Sequence, residues 1–173
     1  MLAVLRQVNA LGELFPKDFS EKEAFEKTST EIDLAASAKF DLPLRFAALM
    51  GHVDYELAKD WYDKMRVPLE ERGCAEIFRI WTHQYKTIDT KLSAQKIMLF
   101  FDRADLWRKP ERILQIFSLA DVISLDTSIW RKAIEAVQKV DAGEIARSLP
   151  GQPGEQIKKA VYEARLKVVE ASL

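Results

Sequence analysis

Residues 99–121, LFFDRADLWRKPERILQIFSLAD, decide what kind of fold this chain takes. Pro110 stands where a first helical residue would, a position whose N–H has no intrahelical partner and which therefore tolerates proline. Behind it Ile113, Ile116, Phe117, Ala120 and Ile123 recur at helical spacing, and the run before it, residues 93–107, reads as one short apolar helix. Trp107 then falls on a turn between two helices, with Arg108, Lys109 and Arg112 grouped around it. Cations beside an aromatic ring suit a phosphate backbone with some stacking. The same composition equally fits a core tryptophan beneath a solvated charged face.

Outward from this stretch the pattern stays helical, and no alternating segment is long enough for a sheet. Leu2, Leu5, Val8 and Leu11 share a face before Pro16, and Ser20 with Glu23 has the spacing of a capping box. Phe25, Thr28, Ile32 and Ala35 or Ala36 continue the stripe. Asp41 is placed to cap a helix that accepts Pro43 in its first turn. Helices are expected over 55–65 and 69–85, where Leu57, Trp61 and Met65 recur every four residues and RVP (66–68) marks the break. Thr127 is placed to cap a helix bearing Trp130, Ile134 and Val137. The turn SLPGQPGEQ (148–156) leads into a last helix with Ile157, Val161, Ala164 and Val168 on one side. The expectation is an all-α chain of about nine or ten helices: a body over 1–105 and a C-terminal part over 106–173 packed with it as one unit.

Composition narrows the function. In 173 residues with 48% hydrophobic content, folding should bury about 70% of the extended-chain surface, enough for one well-filled core. The 26 basic and 27 acidic residues nearly cancel, so no global charge excess announces a polyanion. The halves differ, however. Residues 1–85 carry 11 Lys+Arg against 15 Asp+Glu, net −4, and residues 86–173 carry 15 against 12, net +3. A single cysteine, Cys74, excludes an intramolecular disulfide and a cysteine-rich zinc cluster. No apolar run reaches the ~20 residues that span a bilayer, and no basic-then-apolar leader opens the chain; the expected setting is the cytoplasm.

Few residues offer chemistry. His52 and His83 are the only histidines, and with Asp54 they outline a conceivable mononuclear metal site. A dinuclear hydrolase site needs more imidazoles than that, so no metal and no catalytic residue is expected. Cys74 reads as a buried structural thiol rather than a nucleophile. There is no glycine-rich phosphate loop of the Walker or Rossmann type. GQPG (151–154) before a helix has N–H groups to offer a phosphate, and also reads as an ordinary helix-start loop.

The stretch 99–121 resembles the C-terminal body of bacterial CCA-adding enzymes, the tRNA nucleotidyltransferases with a C-terminal HD region. The resemblance continues in AVLRQVNALGELFP (3–16), similar to the passage from neck to body, and in LPLRFAALMGHVDYE (42–56), similar to the helix that carries the His-Asp pair. MRVPLEE (65–71) resembles the helix entry after it, and GQPGEQIKKAVYEARL (151–166) the closing tail helix. Matching by position puts Gly51 and His52 where the pair should stand and Lys27 near its first histidine, with the loop after the pair shortened to YELAKD (55–60). The resemblance thus implies a relic of an HD site without phosphohydrolase activity. It also implies a chain without the nucleotidyl-transfer head, for which alone Mg²⁺ and CTP or ATP are expected.

By the same resemblance the chain is expected to be a module that supports tRNA while a head works elsewhere. Phosphate contacts are expected from Arg108, Lys109, Arg112, Arg131, Lys132, Lys158 and Lys159. Other partners left open are the head and neck of a parent enzyme and a second copy of the chain. The competing readings are a helical scaffold that binds only protein and a residual metal-dependent HD phosphohydrolase.

Overall fold

The computed structural model describes residues 2–16, 19, 22–86 and 92–173. Among them are eleven α-helices and no strand: α1 (Leu2–Gln7), α2 (Leu11–Leu14), α3 (Lys22–Ser37), α4 (Leu42–Met50), α5 (Tyr55–Met65), α6 (Leu69–Lys86), α7 (Ala94–Arg103), α8 (Pro110–Val122), α9 (Ser128–Gln138), α10 (Ala142–Ser148) and α11 (Gly154–Ser172). The all-helical reading holds across the described residues. None of their helices is long and apolar enough to cross a membrane. The Ser20–Glu23 capping box lies outside the described residues.

The helices pack as two compact units. The first comprises Met1–Thr87 with Pro110–Leu125, and the second Ile88–Lys109 with Asp126–Leu173. In the first unit α4 packs most extensively on α6 and next on α3, while α8 lies against α3, α4 and α6. Its core holds Phe19, Phe25, Met50, Val53, Ala58 and Tyr62, and Trp81 meets Phe117 at 5.5 Å between ring centres. In the second unit α11 packs on α7, α9 and α10, with Phe100 edge-on to Trp130 at 5.2 Å.

The caps show why the helices begin and end where they do. Asp41 accepts from Leu44 N–H at 3.3 Å, Ser93 from Lys96 N–H at 3.3 Å, and Pro110 opens α8 as expected. Thr127 differs from expectation, because its side chain makes no capping bond and instead accepts from Arg131 Nε at 2.9 Å. Asp126 takes over, accepting from Ser128 N–H at 2.8 Å. The N-terminal stripe is also revised: Asn9 adopts a left-handed φ of 57° that separates α1 from α2 and leaves Val8 exposed while Leu11 is buried.

In α5 the buried face is Ala58 and Tyr62, whereas Leu57 and Met65 are exposed. The helix ends at Arg66 in the left-handed region, φ 52°. Arg72, one turn into α6, reaches back to bond Tyr62 C=O and Val67 C=O, each at 2.7 Å. Tyr62 C=O also accepts from Val67 N–H at 3.0 Å, so Arg72 adds a second donor there and ties the turn after α5 to the start of α6. Replacing Arg72 by methionine keeps the aliphatic stem and removes both carbonyl bonds together with the exposed contact to Asp63; we expect a loss of about 2 kcal/mol, given the usual worth of hydrogen bonds to charged groups. A change in urea midpoint below about 0.5 kcal/mol equivalent, the scatter of neutral surface substitutions, would show that Arg72 is dispensable.

Two exposed caps carry a pH signature. Asp141 accepts from Glu144 N–H and Gly143 N–H, and Asp126 from Ser128; these bonds hold both carboxyls below the usual carboxylate value. A carboxyl whose folded value is depressed stabilises the fold above the unfolded value, about 3.9, and loses that contribution as pH falls through the folded value. The stability difference between the native chain and an Asp126→Asn, Asp141→Asn variant should therefore shrink between pH 5 and pH 2. Urea titrations at several pH values check it.

Candidate nucleic-acid interface and HD-like locus

The locus around His52 lies wholly in the first unit. His52 follows α4, and its Nε2 lies 2.6 Å from Glu31 Oε2 of α3. The two side chains are only 9% and 8% exposed. Lys27, one turn before Glu31, adds a longer contact of 3.9 Å to the other carboxylate oxygen. A carboxylate this deep requires partners, because burial of an unpaired charge is strongly unfavourable. His52 Nδ1 is also buried and has no hydrogen-bond partner.

The neighbouring positions are occupied for other reasons. A Cβ built on Gly51 would stand 2.2 and 2.6 Å from the Phe78 ring, so Phe78 of α6 fills the space any side chain at 51 would need. Asp54 caps α5, accepting from Glu56 N–H at 2.9 Å and Leu57 N–H at 3.4 Å. YELAKD begins α5 and is helical rather than a loop. His83, Arg79 and Thr82 join His52 and Asp54 around a cavity of about 290 Å³, where Arg79 lies over the Tyr55 ring at 4.4 Å. Among the described residues no three or more His, Cys, Asp or Glu are placed to hold a metal ion. The donor set does not fit one: one imidazole is bonded to a carboxylate, the aspartate is a cap, and an aromatic ring stands at Gly51. Cys74 is buried on α6, and burial pushes its thiol up to about 11, far from a reactive thiolate.

The seven candidate phosphate contacts divide between the units. Arg112 belongs to the first, half-buried with its guanidinium 3.4 Å from where a Cβ on Gly73 would stand. The other six belong to the second. Arg108 is bonded through Nε and Nη2 to Asp105 at 2.9 and 2.8 Å, and Arg131 is half-buried on Thr127. Lys158 contacts Glu155 at 2.7 Å and Lys159 contacts Glu163 at 3.8 Å. Lys109 and Lys132 are exposed. Exposed pairs of this kind contribute little, so exchanging a carboxylate for a phosphate oxygen costs little. The charge is divided in the same way. The second unit has 13 basic against 10 acidic residues, net +3, and the first 13 against 17, net −4.

One residue at this surface escapes sequence reasoning. Arg165 of α11 lies over the Trp107 ring at 3.7 Å, while Trp107 donates its indole N–H to Asp102 at 2.6 Å and stands edge-on to Phe101. The pair borders a cavity of about 570 Å³ that also involves Lys158, Val161 and Tyr162. Burial lowers the Arg165 pKa, and the nearby Asp102 carboxylate partly offsets this. The available signal was the register of α11, where residues 158, 161/162 and 165 share a face.

If His52 is what balances the buried Glu31, His52→Ala should cost about 3 kcal/mol, the scale of breaking a buried pair from one side. Exchanging both residues for leucine should cost markedly less. Equal losses in the single and double variants, measured by urea unfolding, would exclude coupling. Gly51→Ala should cost about 2 kcal/mol by overpacking against Phe78.

No family model and no solved structure matches the chain. Curated proteins do. A CCA-adding enzyme of Bordetella pertussis is 31% identical over 172 residues, covering 98% of this chain and 44% of that protein. The corresponding CCA-adding enzyme of Bordetella bronchiseptica is 31% identical over 170 residues. A multifunctional CCA protein of Burkholderia ambifaria is 29% identical over 217 residues, covering all of this chain and 52% of its own length. Along its whole length the chain is thus a homologue of CCA-adding enzymes, spanning about half the length of the curated relatives it matches.

Proposed function

We propose that this chain is the tRNA-holding C-terminal part of a CCA-adding enzyme and works in the cytoplasm, with its HD-like locus serving stability rather than metal-dependent hydrolysis. The observation that carries the reading is the whole-length relation to proteins named CCA-adding enzymes. Along the chain the HD-like body corresponds to residues 1–105 and the tail to 106–173. The nucleotidyl-transfer head of such an enzyme is the expected protein partner, and Mg²⁺ with CTP or ATP belongs to that head.

The mechanism is positioning. Basic side chains neutralise phosphates and release counterions without reading sequence, and A-form RNA favours recognition by shape over base edges. The net +3 of the second unit supports placing the RNA there. Lys109, Lys132, Lys158 and Lys159 offer exposed ammonium groups, and Arg108 an exposed guanidinium paired with the Asp105 carboxylate. Arg112 is the least suited of the seven, because it is half-buried against α6.

Anisotropy titrations of labelled tRNA should give micromolar binding at roughly 50 mM salt that weakens steeply as salt rises. Replacing Lys109 and Lys132 by glutamine should flatten the log–log salt slope by about 1 for each phosphate interaction removed. No binding at low salt would sink the reading in favour of a protein-binding scaffold. An unchanged slope would remove these two lysines from the interface.

A further inference from the structure

We propose that the cavity of the second unit beside Trp107 receives one unstacked nucleotide of the bound RNA, with its base against the Trp107–Arg165 stack and its phosphate at Lys158. The inference rests on the tRNA-holding reading and adds to it a place where a single base is gripped. At about 570 Å³ the cavity falls in the size range of ligand sites. Its apolar lining, including Met98, Val161 and the ring of Tyr162, suits the face of a heterocycle rather than a bare anion. Aromatic rings and guanidinium planes are the surfaces on which unstacked RNA bases are held. Here they come already paired, with Arg165 at 3.7 Å over Trp107.

The polar groups orient the occupant. Asp102 accepts from the Trp107 indole N–H, and a carboxylate lining the cavity disfavours a phosphate beside it while able to accept from a base amino group. Lys158 is bonded to the exposed Glu155 carboxylate, an interaction that a phosphate oxygen readily replaces. The cavity is thus lined by a cation, a carboxylate and an aromatic–guanidinium pair. That is the complement of a nucleotide.

Titration of tRNA into the full chain, read by anisotropy, compares native protein with Arg165→Gln and with Tyr162→Ala, each first shown by urea unfolding to keep a cooperative fold. Both variants should bind tRNA more weakly by about fivefold or more, as removal of base stacking does, with the salt slope unchanged because both side chains meet the base rather than a phosphate. The ¹⁵N–¹H signal of the Trp107 indole, assigned with Trp107→Phe, should shift on tRNA binding. If native chain binds tRNA but both variants bind equally well and the signal stays put, this inference fails while the tRNA reading stands. If native chain does not bind tRNA at low salt, both fail. Free guanosine or adenosine monophosphate that shifts the Trp107 signal and is not displaced by tRNA would overturn the proposal in favour of a free-nucleotide site.

Discussion

The close approach of α4 to α6 governs the first unit. Ala47 and Ala48 are fully buried on α4, and Gly51 ends that helix with a Phe78 ring carbon where its own Cβ would be. Gly51 has an ordinary helical φ of −65°, so the backbone does not require glycine there; the steric demand of Phe78 does. With the ring in that space, His52 is the next residue able to carry a side chain inward, and it meets Glu31 of α3. One packing contact thereby accounts for the shape of the locus and for its charge. A hydrophobic ring and a buried hydrogen-bonded pair occupy a place where the family resemblance would have suggested metal ligands.

A metal and a hydrogen-bonded pair are two ways of joining the same helices. A metal joins helices by coordination, at the price of several buried ligands that must stay deprotonated. An imidazole–carboxylate pair joins α3 to the end of α4 with a single short bond, provided both groups remain covered. The orphaned Nδ1 of His52 shows that this arrangement is not polar-complete, and native interiors leave few such atoms.

Helix existence and type were legible because period and punctuation agree. Pro110 and Asp41 announce where α8 and α4 begin, and the stripe from Ile113 to Ala120 is buried as its spacing suggests. The inward face of α5 was not legible. Spacing of four sets Leu57, Trp61 and Met65 along one flank of α5, but Ala58 and Tyr62 stand four apart as well, so the spacing did not show that the buried face is centred one residue further on. Periodicity also cannot name a helix's partners, and nothing in the chain order shows that α8 packs with the helices of the first unit. The site pairs were beyond reach for the same reason: Glu31 and His52 stand 21 residues apart, and Trp107 and Arg165 come from distant parts of the chain brought together only by packing.

The burial of Cys74 has a practical consequence. It is the only thiol in the chain, it sits on α6 at 4% exposure, and its proton is held up to about 11. An alkylating reagent in neutral solution would therefore label only molecules in which α6 has come away from its neighbours. The chain thus carries an internal clock for the opening of its first unit, readable by mass without any added probe.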